Sequence, residues 1–200
     1  MELRTLLTNA LLSATLGLAA TATAGENVPE WLTRSRAMSN ELGSALKSEL
    51  TAALAQSGPS GAIEVCRARA PEIAARLSRE SGAKVSRTAL RVRNPGNAPD
   101  DLQRAVLEQF AVDLASGQIE PPLEAAVEIN RGGRIERRYM RAIPTDALCL
   151  TCHGTELAPE VKAAIAKAYP DDQATGFSAG QLRGAFSVIW PAVPMAAAQP

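Results

Sequence analysis

The hexapeptide Cys149-Leu150-Thr151-Cys152-His153-Gly154 constrains this chain more than any other stretch. Cys-x-x-Cys-His is the attachment signature of a c-type haem. Two thiols spaced three positions apart add across the porphyrin vinyl groups and become thioethers. The next side chain, His153, is then held under the iron as proximal ligand. Two rival chemistries use the same residue types. A thioredoxin-like Cys-x-x-Cys follows a strand, opens a helix and gains nothing from a histidine, whereas Ala142 to Ala147 reads here as a strand end and a turn. A structural zinc could draw on Cys149, Cys152, His153 and the third cysteine, Cys66. Side chains on the neighbouring residues Cys152 and His153 diverge, however, and make an awkward pair for one small tetrahedral ion. One covalently bound haem c is the expected cofactor.

The N-terminus agrees with that chemistry. Met1-Glu2-Leu3-Arg4 is followed by an apolar run from Leu6 to Ala20 and then by Thr21-Ala22-Thr23-Ala24. A short charged start, an apolar stretch too short for a comfortable span and an Ala-x-Ala site describe a secretory signal over 1–24. An uncleaved anchor is the alternative. Export to the periplasm is the expectation, with no membrane attachment after cleavage. Outside the cytoplasm disulfides persist, so an odd number of cysteines needs explaining. Two of the three go to the haem, and Cys66 is the remainder.

Beyond the signal there is chain for one ordinary domain, 25–190, followed by a tail over 191–200 that reads as flexible. Lys plus Arg and Asp plus Glu both number 21, so no basic field exists for nucleic acid or an anionic membrane surface. Aromatic residues make up only 4% of the chain, a shortage of bulk that a buried haem would relieve.

Periodicity places the elements. Leu42, Leu46, Leu50 and Leu54 recur at four-residue spacing in a long helix from Pro29 to about Gln56, and Gly58-Pro59-Ser60-Gly61 ends it. Ala62 to Ser81 reads as a second helix with Ile63, Cys66, Ile73 and Leu77 on one face, and Pro71 marks a kink or break. Lys84 to Val92 alternates as a strand. Asp100 or Asp101 caps a third helix running to about Ala115. Leu123 to Asn130, Gly132-Gly133 and Arg134 to Ile143 form the clearest hairpin signal. A short helix over Glu160 to Ala168 and a last strand over Leu182 to Trp190 follow. The class is α+β, unlike a small all-helical cytochrome c with its motif near the N-terminus.

Several stretches together carry a family resemblance. They are Ala62-Ile63-Glu64-Val65-Cys66 with Ala70 to Ala74, Arg87-Thr88, Arg91-Val92-Arg93-Asn94-Pro95-Gly96-Asn97-Ala98-Pro99, the haem hexapeptide, Tyr169 to Phe177, and Arg183 to Val188. Over about Leu42 to Pro191 the chain resembles the c-type haem proteins with a PAS-like fold, a haem-binding domain of unknown function also found as a sensor input domain. The resemblance implies a PAS-like antiparallel sheet flanked by helices, with the haem against the sheet. It also implies iron ligated by the motif histidine and by a cysteine of the upstream helix, which are His153 and Cys66 here.

The residues themselves leave other readings of the second ligand open. A free cysteine often packs as a small hydrophobe, no second histidine exists, and Met140 is the most credible methionine, with Met38 and Met195 remote. Arg87, Arg91 and Arg93, read as alternating along one strand, either pair with haem propionates or form a solvated face. Gly154 is expected to permit a close backbone approach below the haem. His/Cys ligation implies a low reduction potential and no open position for peroxide, so an enzyme is not expected. The expected role is redox sensing or signalling towards an unidentified redox partner, with a diatomic gas as a candidate ligand of the reduced haem. The alternative is periplasmic electron transfer between soluble partners.

Overall fold

The computed structural model describes residues 28–117 and 122–195. The expected signal peptide and the last five residues of the expected tail lie outside the described residues. Helix α1 spans Glu30–Ser81, but Gly58 (φ 64°, ψ −175°) breaks it into two limbs. That positive φ is one that a side chain disfavours, and Pro59 then opens the second limb, where its missing N–H costs nothing. The limbs fold back side by side. Arg34 donates to Ser81 O at 3.2 Å, Arg76 to Glu41 at 3.1 Å and Arg69 to Glu49 at 3.4 Å. Pro71 does not kink the helix, because it lies on an exposed face where the carbonyl it leaves unbonded can meet water.

Strands β1 (Lys84–Thr88), β2 (Glu124–Asn130), β3 (Arg134–Pro144) and β4 (Leu182–Pro194) form one antiparallel sheet in the order β1-β4-β3-β2. The fold is therefore α+β, with helix leading and the hairpin of β2 and β3 where alternation puts it. Two strand limits differ from expectation. β1 stops at Thr88 rather than Val92, since Thr88 Oγ1 and Ala89 N both turn to Asn97 O. β4 runs four residues beyond Trp190 into the segment expected to be a flexible tail. There β1 has already ended, so Pro191 and Pro194 lie on a free side of the strand where no N–H is required.

The sheet is covered on both faces. Met38, Leu42, Ile73 and Leu77 of α1 pack on Val85, Tyr139 and Val188. On the opposite face α2 (Asp101–Ser116) sets Leu107 and Phe110 against Met140, Ala142 and Ala185. Asp100 is the cap of α2, in a capping box with Gln103, whose amide also reaches Ser187 Oγ at 2.9 Å. Short helices α3 (Leu150–His153) and α4 (Pro159–Ala168) lie beside the second limb of α1, joined through Ile63, Val161 and Ile165. No described helix is long and apolar enough to cross a membrane.

Leu107 is fully buried between α2 and the sheet. Leu107→Ala should lower unfolding stability by about 2–5 kcal/mol, read as a lower denaturant midpoint with an unchanged slope.

Candidate functional site

The hexapeptide begins on a 3₁₀ turn, Ala147–Cys149, and continues directly into the single turn of α3. One helical turn puts the side chains of Cys149 and Cys152 on a common side, with His153 stepped round from them. Gly154 closes the turn by donating to Leu150 O at 2.9 Å. A Cβ at this glycine would lie 2.6 Å from that carbonyl. Its smallness thus serves closure of the loop itself. Next, Gly176 N donates to Gly154 O at 2.8 Å and Phe177 N to His153 O at 2.9 Å, which pins the motif to residues 174–177.

That pinning orients the imidazole. His153 Nδ1 lies 2.5 Å from Ala174 O, an acceptor only, so Nδ1 carries the proton and Nε2 keeps its electron pair. Burial, reinforced by Arg183 and Arg93, pushes the pKa down to about 2, so the ring is neutral throughout the physiological range. A neutral imidazole that donates from one nitrogen and offers the other is the form required of an iron ligand. Phe177 meets the ring edge-on, centroids 6.3 Å apart.

The arginines divide by task. Arg93 donates to both carboxylate oxygens of Asp172 (3.0 and 3.3 Å), to Cys152 O (2.7 Å) and to Ala174 O (3.3 Å). Arg91 donates to Gln173 O at 3.0 Å and to Thr175 O, and lies 4.4 Å over the Phe177 ring. Both guanidiniums hold the 172–177 segment, a task that spacing along the chain does not indicate. Nor do the three arginines alternate on one strand: only Arg87 lies in β1. Arg183 was not expected at the site, because no periodic pattern distinguishes it. It sits where the register shifts between Ile143 and Pro144 against Gly184 and Leu182, a bulge that re-aims the side chain. It then lies within electrostatic range of His153 and Cys149. Burial and the neighbouring Arg87 and Arg93 push its pKa down to about 10.

Cys66 comes to the same place from the other end of the chain. It is half-buried on the second limb of α1, and its neighbours by charge are Arg87, Glu49 and Arg93. Burial pushes its thiol pKa up, and Arg87 opposes the shift. Cys152 feels both Cys66 and Cys149, and packs beside Ile63 and Tyr169. All three cysteines are free, and among the described residues no three His, Cys, Asp or Glu side chains gather tightly enough for a metal ion. A compact zinc set is therefore not formed. Met140 is also removed as an iron ligand, since it is buried on the α2 face among Leu107, Phe110 and Ala142. Met38 lies in the α1-face core, and Met195 meets Asn130 at the hairpin end.

The residues present fit a flat macrocycle. Arg87 lies deep enough for burial to lower its pKa, yet its side chain is exposed, which together describe a residue facing an open slot. Cys66 faces the slot from α1, while the motif supplies two thiols and an imidazole with Nε2 free.

A family model described as Tll0287-like matches residues 15–191. Among solved structures, the crystal structure of the cyanobacterial heme-protein Tll0287 matches with a TM-score of 0.63 at 29% identity, covering 83% of this chain and 98% of that one. No curated protein matches the chain.

Arg93 and Asp172 are 12% and 8% exposed. Removing one partner of such a pair leaves a buried charge, so Arg93→Ala should cost about 3–5 kcal/mol. The double variant with Asp172→Ala should lose less than the sum of the singles in a denaturation cycle.

Proposed function

The chain belongs to the Tll0287-like family, and on that premise we propose that it is an exported c-type haem protein of PAS-like architecture that acts in redox sensing. The observation that carries the reading is that Cys66, Cys149 and Cys152 lie within electrostatic range of one another beside His153, whose Nε2 is free and whose Nδ1 proton is held by Ala174. The relative is named a heme-protein, and the small antiparallel sheet with helices on both faces supports the PAS-like description.

When bound, haem c supplies a one-electron iron couple whose potential is set by its axial ligands and surroundings. The chain's own residues have distinct tasks. Cys149 and Cys152 attach the group covalently. His153 offers Nε2 on one side, kept in orientation by Ala174 and indirectly by the Arg93 clamp. Cys66 offers a thiolate on the other side, a ligand that favours the ferric state and a low potential. Arg183, whose guanidinium donates to Arg91 O at 3.3 Å and lies 5.5 Å from the Phe177 centroid, is a further cation that would pair with a propionate. His153 and Cys66 together would hold the iron without an open position for peroxide or oxygen, which would suit a sensor better than an oxidising enzyme. Loss of the Cys66 bond on reduction would be the signal, and would open a position for carbon monoxide or nitric oxide.

A second reading, electron transfer, is favoured by one feature. Leu148, beside Cys149, is 38% exposed, an apolar contact for a soluble redox partner at the edge of the motif.

Two variants and a titration test these readings. Cys149→Ser/Cys152→Ser should lose haem on denaturing gels while wild type keeps it. Cys66→Ser should change the ferric absorption and spin-resonance spectra, and unchanged spectra would overturn the ligation. Carbon monoxide binding to the reduced protein supports sensing, whereas reversible cycling without gas binding supports electron transfer.

A further inference from the structure

Arg87 is the charged group that the site so far leaves without a task. Among the described residues it makes no hydrogen bond and no ion pair, although the protein crowded around it lowers its pKa while its side chain stays open to solvent. A partly desolvated guanidinium without a partner is suited to meeting an anion. Arg93 has Asp172, and Arg91 and Arg183 have backbone carbonyls. Arg87 has none of these.

The backbone shows which anion it faces. β1 leaves α1 through Gly82 and runs back along the helix, with Val85 N taken by Ser78 Oγ at 2.9 Å. Val85 then packs on Ile73 and Leu77. Side chains alternate along a strand, so the next residue on that face is Arg87, one step farther back towards the start of the second limb. Cys66, Ile73 and Leu77 occupy one face of that limb, at spacings of seven and four. Arg87 and Cys66 therefore approach each other across the slot, from strand and helix. The two groups near Arg87 that can carry negative charge are Cys66 and Tyr169. Glu49 also lies near Cys66 and would oppose a thiolate, but Arg69 holds it at 3.4 Å.

We propose that Arg87 is the counter-ion of the Cys66 thiolate, a positioning residue that sets the reduction potential of the haem through its sulfur ligand. This rests on the reading that Cys66 ligates the iron. A cation beside the sulfur withdraws electron density from it and weakens its preference for ferric iron, so Arg87 raises the potential. Removing the charge lowers it.

The test is a spectroelectrochemical titration of the haem-loaded full-length protein at fixed pH and salt. Arg87→Gln should shift the midpoint potential down and alter the thiolate-sensitive ferric spin-resonance signal. Arg87→Lys, which keeps the charge, should stay near wild type, and it also serves if the glutamine variant folds poorly. The deciding comparison is made in a Cys66→Ser background, where haem remains attached through Cys149 and Cys152. There Arg87→Gln should produce little further shift. An equal downward shift with and without Cys66 would assign Arg87 to the propionates instead and overturn the proposal, as would an unmoved potential in both. Failure of the ligation reading is separately visible, as a Cys66→Ser ferric spectrum identical to wild type.

Discussion

The guanidinium of Arg93 joins three stretches that share no local structure. It is bound twice to Asp172, once to the carbonyl of Cys152 inside the motif, and once to the carbonyl of Ala174. Ala174 is the acceptor that fixes the His153 tautomer, and its own N–H is held by Asp172 Oδ1 at 3.0 Å. The orientation of the imidazole thus depends on an ion pair between residues distant in sequence. Because both charges are nearly buried, the pair is worth more as a geometric constraint than as a source of stability, and breaking either half is costly.

Around that clamp the sheet acts as a partition. One face is closed by α2, with Leu107, Phe110 and Met140 packed tightly against it. The other face carries α1, whose two limbs are held antiparallel by ion pairs and by burial of Leu42, Ile73 and Leu77. Where β1 gives out after Thr88, the second limb continues past the end of the strand. Beyond that end Cys66, Arg87 and Tyr169 lie within electrostatic range of one another, and Cys152 of the motif within range of Cys66. A bulge at the start of β4 turns Arg183 into this region. The site is therefore a property of strand ends, where backbone irregularity is tolerated and side chains can be re-aimed.

The charge distribution follows from this placement. Arg87, Arg93 and Arg183 lie within range of one another, and among the described residues Asp172 is the carboxylate that pairs with Arg93. These cations add to burial in lowering the His153 pKa and oppose the rise that burial gives the Cys66 thiol. The same excess of charge would be destabilising without an anionic occupant, which connects the stability of the pocket with what it binds.

Local chemistry was fully legible in the sequence. The hexapeptide, the odd cysteine, the hairpin and the helix cap at Asp100 each depend on residues near one another, and spacing alone reveals them. Helix and strand faces were legible for the same reason, down to the face that Cys66 shares with Ile73 and Leu77. The limits of β1 and β4 were not, since they depend on which neighbouring strand is present to accept hydrogen bonds. The roles of the arginines were not either: an alternating Arg-x-x-x-Arg-x-Arg run says nothing about a carboxylate at 172 or carbonyls at 152 and 174. By itself, then, the sequence determined that the chain carries a Cys-x-x-Cys-His motif, an odd third cysteine on a helix and an α+β scaffold. Only the tertiary structure decided which cations clamp the site, that Arg183 enters it, that Met140 is on the wrong face and that Arg87 is left facing Cys66. Those are outcomes of long-range packing, which one-dimensional spacing does not encode.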